Sequence, residues 1–75
     1  MNGVEYLAFG KIDDMIAEYA ALDMGKLWFK TYRLKYAMMP IGAEQYDTTF
    51  YETKAEGIAD TKWLAKELGV KFVQL

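Results

Sequence analysis

Asp13 and Asp14 are adjacent carboxylates in a segment with helical periodicity, and with Lys and Tyr the acids supply the whole acid-base repertoire, because the chain has no His and no Cys. It has no Ser either. Acyl-transfer triads and thiolate chemistry are therefore out of reach, and a metal site would have to be built from carboxylates alone. Neighbouring residues on a helix diverge by roughly 100°, so Asp13 and Asp14 do not converge on one ion or flank one bond. First-turn acids that complement the helix dipole account for them. Gly57 stands without the glycine-rich loop that a phosphate needs. The expectation is a protein that is not an enzyme, with no catalytic residue, no cofactor and no metal.

Binding chemistry is better represented. On a helical wheel Trp63 falls among Glu56, Ala59, Asp60 and Glu67, away from the apolar stripe of its segment. A Trp so placed is either an exposed anchor for a partner or a cover over the domain edge, and interfaces favour Trp because it buries much area at little rotamer cost. Charge is sorted along the chain. Residues 26 to 39 carry Lys26, Lys30, Arg33 and Lys35 with no acid, whereas residues 1 to 25 set Glu5, Asp13, Asp14, Glu18 and Asp23 against Lys11. Arg33 and Lys35 share strand parity with Phe29, Thr31 and Ala37, and with Thr49 and Tyr51 of the next strand they outline a basic, aromatic sheet face. Tyr46 lies near the intervening hairpin. Trp63, Tyr51, Arg33, Lys35 and Tyr46 are thus the candidate partner contacts.

A chain of 75 residues with 53% hydrophobic and 16% aromatic content makes one small domain, residues 1 to 75, near the lower limit for a core without disulfides or metals. Homodimerisation is one way for such a domain to cover apolar surface. The net charge of -2 argues against a dedicated nucleic-acid binder. No segment approaches the ~20 apolar residues that cross a bilayer, and the N-terminus lacks the pattern of a signal peptide. A soluble, unprocessed, cytoplasmic protein without membrane partners is expected.

The elements that position these residues are clearest at the C-terminus. Thr53 and Glu56 have capping-box spacing, Gly69 is a helix stop, and Ile58, Thr61, Leu64, Ala65 and Leu68 form one stripe with Gly57 beside them. A glycine on the buried side costs about 1 kcal/mol of helix propensity, which points to a close approach of helix and sheet. The N-terminal third repeats the plan less distinctly. Ile12, Met15, Ile16, Tyr19 and Leu22 form the stripe and Gly25 the stop. Strands are expected over VEYLAF, KLWFKTYRLKYAMM, TTFYE and VKFVQL, with Trp28, Tyr32, Leu34, Tyr36 and Met38 facing the core. MPIGAEQ, with the single proline, reads as a hairpin loop, and Met38, Met39 and Ile41 at its base are either core or a soft contact surface.

The order β-α-β-β-α-β predicts an α+β fold, a two-layer sandwich of ferredoxin-like type with two helices on one face of a four-stranded antiparallel sheet. The alternative is α-β-β-α-β with three strands, should Asn2 and Glu5 cap a helix that runs through Gly10.

The segment YETKAEGIADTKWLAKELGVKFVQL resembles the ends of many small bacterial and phage proteins, in which a strand leads into T-K-x-E-A, an alanine-rich helix, E-L-G and a strand. The likeness covers about a third of the chain, Gly57 departs from its usual Ala, and it transfers no functional residue. Proteins that look like this include phage-encoded inhibitors, anti-CRISPR proteins among them. The resemblance implies a protein-binding module that blocks a surface of a larger host complex, such as a CRISPR or other defence machine. The alternative function is a nucleic-acid- or small-ligand-binding domain that uses the basic, aromatic sheet face. The glycine-aromatic signature of RNA-recognition domains is missing from TTFYETK.

Overall fold

Residues 6 to 11, YLAFGK, alternate without a polar face: Leu7 and Phe9 point one way, and Tyr6, Ala8 and Gly10 the other. A strand with apolar side chains on both faces has to be covered on both. In the computed structural model, which describes residues 3–19, 33–42 and 48–75, this segment is β1 (Tyr6–Lys11), an inner strand. It is followed by α1 (Ile12–Glu18), β2 (Tyr36–Ile41), β3 (Thr49–Tyr51), α2 (Lys54–Leu68) and β4 (Lys71–Gln74). The sheet order is β3-β2-β1-β4. β1 runs antiparallel to β2 and parallel to β4, and β2 runs antiparallel to β3.

An α+β fold with two helices and a four-stranded mixed sheet is therefore present among the described residues, and the three-stranded alternative is excluded because residues 6 to 11 form a strand. The ferredoxin-like arrangement is not. A split βαβ unit needs a strand inserted between the two it connects, whereas β1 and β2 are direct neighbours and antiparallel. The sheet is mixed rather than wholly antiparallel, since β1 pairs with β4 in the same direction. Nor do the helices share a face. Leu7, Phe9, Met38 and Tyr51 pack with Ala65 of α2, while Ala8 and Ala37 pack with Met15 of α1. Successive strand residues point to opposite faces, so the two helices cover opposite faces of the sheet.

Phe9 is the hub of the α2 side. Its ring stacks on Tyr36 at 5.7 Å and meets Tyr51 at 6.1 Å and Phe72 at 6.4 Å. Aromatic pairs at these spacings add about 0.5–1.5 kcal/mol beyond the area they bury. Helix α2 approaches this cluster through Gly57, where a Cβ would stand 2.6 Å from Phe9 Cζ and closer still to Cε1. The buried Gly57, Thr61 and Ala65 and the half-buried Ile58, Leu64 and Leu68 are the stripe expected from the sequence. The helix ends are also as expected. Thr53 Oγ1 accepts from the Glu56 backbone N–H at 3.2 Å, and Gly69 closes the helix at φ 69°.

On the α1 side, Met15 is buried and Ile12, Ile16 and Tyr19 lie half-buried beside it. The Tyr19 and Tyr6 hydroxyls are 3.2 Å apart, which ties the end of α1 to the start of β1. Burial, and then this hydrogen bond, push the Tyr19 phenol up to about 12. Leu22, Gly25, Trp28, Phe29, Thr31, Tyr32 and Tyr46 lie outside the described residues.

The expected hairpin loop begins later than its proline suggested. Met38, Met39, Pro40 and Ile41 belong to β2, with Pro40 opposite Leu7. Lys35 and Ile41 carry the backbone bonds to Ile12 and Glu5 on the β1 side, so Pro40, one residue out of phase with them, turns its missing N–H away from β1. There the pairing with β3 ends at Met38, and no described ladder needs a donor from residue 40. Among the described residues no helix is long and apolar enough to cross a membrane.

Candidate functional site

Helix α2 builds the most distinctive surface. Its buried stripe fixes its rotation on the sheet, and the opposite side carries Glu56, Asp60, Trp63 and Glu67 at successive spacings of four, three and four residues. Side chains at such spacings are neighbours, with Cβ atoms about 5–6 Å apart. All four are exposed, and Trp63 keeps 61% of its surface in contact with solvent. The indole is therefore not a cover over the core. It walls a shallow depression of about 480 Å³ together with Tyr51, Glu56, Ala59 and Asp60.

Tyr51 reaches this depression from beneath. Its ring is 5% exposed and belongs to the Phe9 cluster, while its hydroxyl donates to Asp60 Oδ2 at 2.5 Å. Burial, and then the hydrogen bond to the Asp60 carboxylate, raise the phenol well above its ordinary range. The phenol thus stays protonated, and it holds one oxygen of Asp60 in place. The Glu56 and Glu67 carboxylates make no ion pair with any described residue. Lys62 turns aside, its Nζ 5.8 Å from the centre of the Phe72 ring.

The sequence-derived candidates separate in space. Tyr51 and Trp63 come together at the depression. Arg33 and Lys35 do not lie on an open sheet face. Arg33 is in a turn before β2, and Lys35 also precedes the strand, its N–H donating to the Tyr51 carbonyl and its carbonyl accepting from Ile12. Tyr51 pairs with Tyr36 and Thr49 with Met38, so both stand on the α2 face and not beside Ala37, whose neighbour is Phe50. A register one residue from that expected moves a strand's side chains to the other face. The face that Ala37 does occupy is covered by Met15 of α1. Lys11, Asp13 and Lys35 are among the residues that line a second depression, of about 430 Å³. Among the described residues no group of three or more acids is placed to hold a metal ion.

No family model, no curated protein and no solved structure matches the chain. The site therefore rests on its own geometry. Asp60, Glu56 and Glu67 were legible beside Trp63 on the helical wheel. Only the bond between Tyr51 and Asp60 gave no sign in the sequence, because it joins a strand to a helix across a side-chain contact with no motif of its own.

Proposed function

We propose that this chain is a non-enzymatic protein-binding module whose contact is centred on Trp63. The observation that carries this is the 61% exposure of the largest apolar side chain on a helix whose opposite side packs on the sheet. Leaving an indole in water forgoes about 1.5–3 kcal/mol that burial of a large apolar side chain would supply, and Trp is among the residues that most often dominate binding energy at interfaces. The shallow depression beside it gives a partner side chain a place to enter. The narrower form of this reading is a phage-type inhibitor that obstructs a surface of a host defence complex. It draws on the resemblance of the C-terminal segment and on nothing else.

Affinity purification from the native host with the wild-type chain and Trp63→Ser tests the proposal. A protein that co-purifies with the wild type and is lost with Trp63→Ser, while the two melt within a few degrees of each other, supports it. Retention of the same partner by a folded Trp63→Ser chain overturns it.

A further inference from the structure

We propose that the partner presents a cationic side chain, an arginine or lysine of a basic polypeptide segment, which sits on the Trp63 indole between the carboxylates of Glu56, Asp60 and Glu67. This rests on the protein-binding reading above and names the chemistry of the partner. The charge pattern carries it. The ridge bears three acids around one indole, and Lys66 is the only nearby described cation that helical spacing sets beside Trp63, since Lys62 is turned toward Phe72. An indole face attracts cations through its quadrupole, and carboxylates at its rim add Coulomb attraction and directed acceptors.

Helix electrostatics explains only part of this pattern. Glu56 lies in the first turn, where a negative charge complements the helix dipole. Glu67 does not. It stands in the last turn, one residue before the helix ends at Leu68, where an anion opposes the dipole. Nor is Asp60 an idle surface acid, since Tyr51 fixes its Oδ2 at 2.5 Å and leaves its other oxygen free to accept. A guanidinium stacked on Trp63 would find carboxylates one helical turn away in each direction, and its apolar stem could enter the depression over Ala59.

The test is fluorescence anisotropy of a labelled arginine-rich nonapeptide titrated with the full chain at low and at physiological salt. Matched glutamate-rich and glycine-serine peptides serve as controls. Binding of the arginine peptide alone is expected, weakened about tenfold by Trp63→Ala and by the double variant Glu56→Gln, Glu67→Gln, which also flattens the salt dependence. A distal double variant that removes equal charge, Asp13→Asn with Glu18→Gln, is expected to leave the affinity unchanged. Equal losses from the two double variants would reduce the effect to diffuse charge and overturn the proposal. So would an arginine peptide that fails to bind, or one indifferent to Trp63→Ala. Circular dichroism confirms that each variant is folded. The native partner separates the two levels of inference: if it is lost with Trp63→Ser and kept by Glu56→Gln, Glu67→Gln, the binding module stands and the cationic partner falls.

Discussion

The Tyr51 hydroxyl donates to Asp60 Oδ2 at 2.5 Å, and this bond joins a core ring of β3 to the exposed side of α2. Bonds to a charged acceptor contribute roughly 1.5–3 kcal/mol when shielded, and Asp60 is exposed, so the lower part of that range is discounted further for solvent. Tyr51→Phe is expected to cost about 1 kcal/mol at neutral pH, read from the urea midpoint.

The same bond has an alkaline signature. An unfolded tyrosine loses its proton near pH ~10, whereas folded Tyr51 and Tyr19 hold theirs to higher pH. Above pH ~10 the unfolded chain therefore binds fewer protons than the folded one, and stability falls as pH rises toward the folded values. Below that window both states are protonated and these groups add no pH dependence. Urea titrations at intervals from neutral to alkaline pH should show a steeper decline for the wild type than for Tyr51→Phe.

Gly57 and Phe9 set the spacing between α2 and the sheet. Gly57→Ala gains about 1 kcal/mol of helix propensity, but its methyl meets a fully buried ring already stacked on Tyr36. Overpacking of this kind costs about 1–3 kcal/mol. Net destabilisation is expected, and it should shrink or reverse when Phe9→Leu is introduced with it. A double-mutant cycle from denaturant midpoints measures the coupling.

Thr61 is fully buried, and its hydroxyl lies against the Tyr51 phenol without a well-formed hydrogen bond of its own. An unpaired buried polar group costs about 1–3 kcal/mol by mutational measures. Thr61→Val keeps the shape, removes the hydroxyl and has similar helix propensity. A gain below about 1 kcal/mol is expected, because loss of the contact with the Tyr51 hydroxyl offsets part of it, and it is read as a slightly higher melting temperature.

Trp63→Ser is expected to change stability by no more than about 0.5 kcal/mol, as for surface substitutions away from packing. Thermal melts of the two chains check this. A large loss would show that the indole supports the fold, contrary to its exposure.

The sequence by itself determined α2 in nearly every particular. Its cap at Thr53, its stop at Gly69 and its buried stripe follow from local spacing along one helix, where i to i+4 neighbours in sequence are neighbours in space, whereas spacing put Trp63 off the stripe and left open whether it was exposed or covered the domain edge, which the fold decided. Gly57 was legible for the same reason, as a residue whose cost to the helix requires a contact that repays it. The strand at residues 71 to 74 was legible too, through its run of apolar residues, whereas the first strand, expected over VEYLAF, stood against a helix running through Gly10 until the fold placed it at residues 6 to 11.

Tertiary structure alone decided which strands meet, in which direction and in what register. Those choices depend on pairings between residues far apart in the chain, and hydrophobic periodicity carries no information about the partner. Both helices were expected on one face, but the apolar side chains on both faces of β1 are covered by α2 on one side and α1 on the other. The register of β3 on β2 then placed Tyr51 under α2 rather than on an open face, and so brought its hydroxyl to Asp60. A single residue of slip would have left the tyrosine on the other side of the sheet. The acidic ridge around Trp63 belongs to the helix, but its anchoring to the core belongs to the fold.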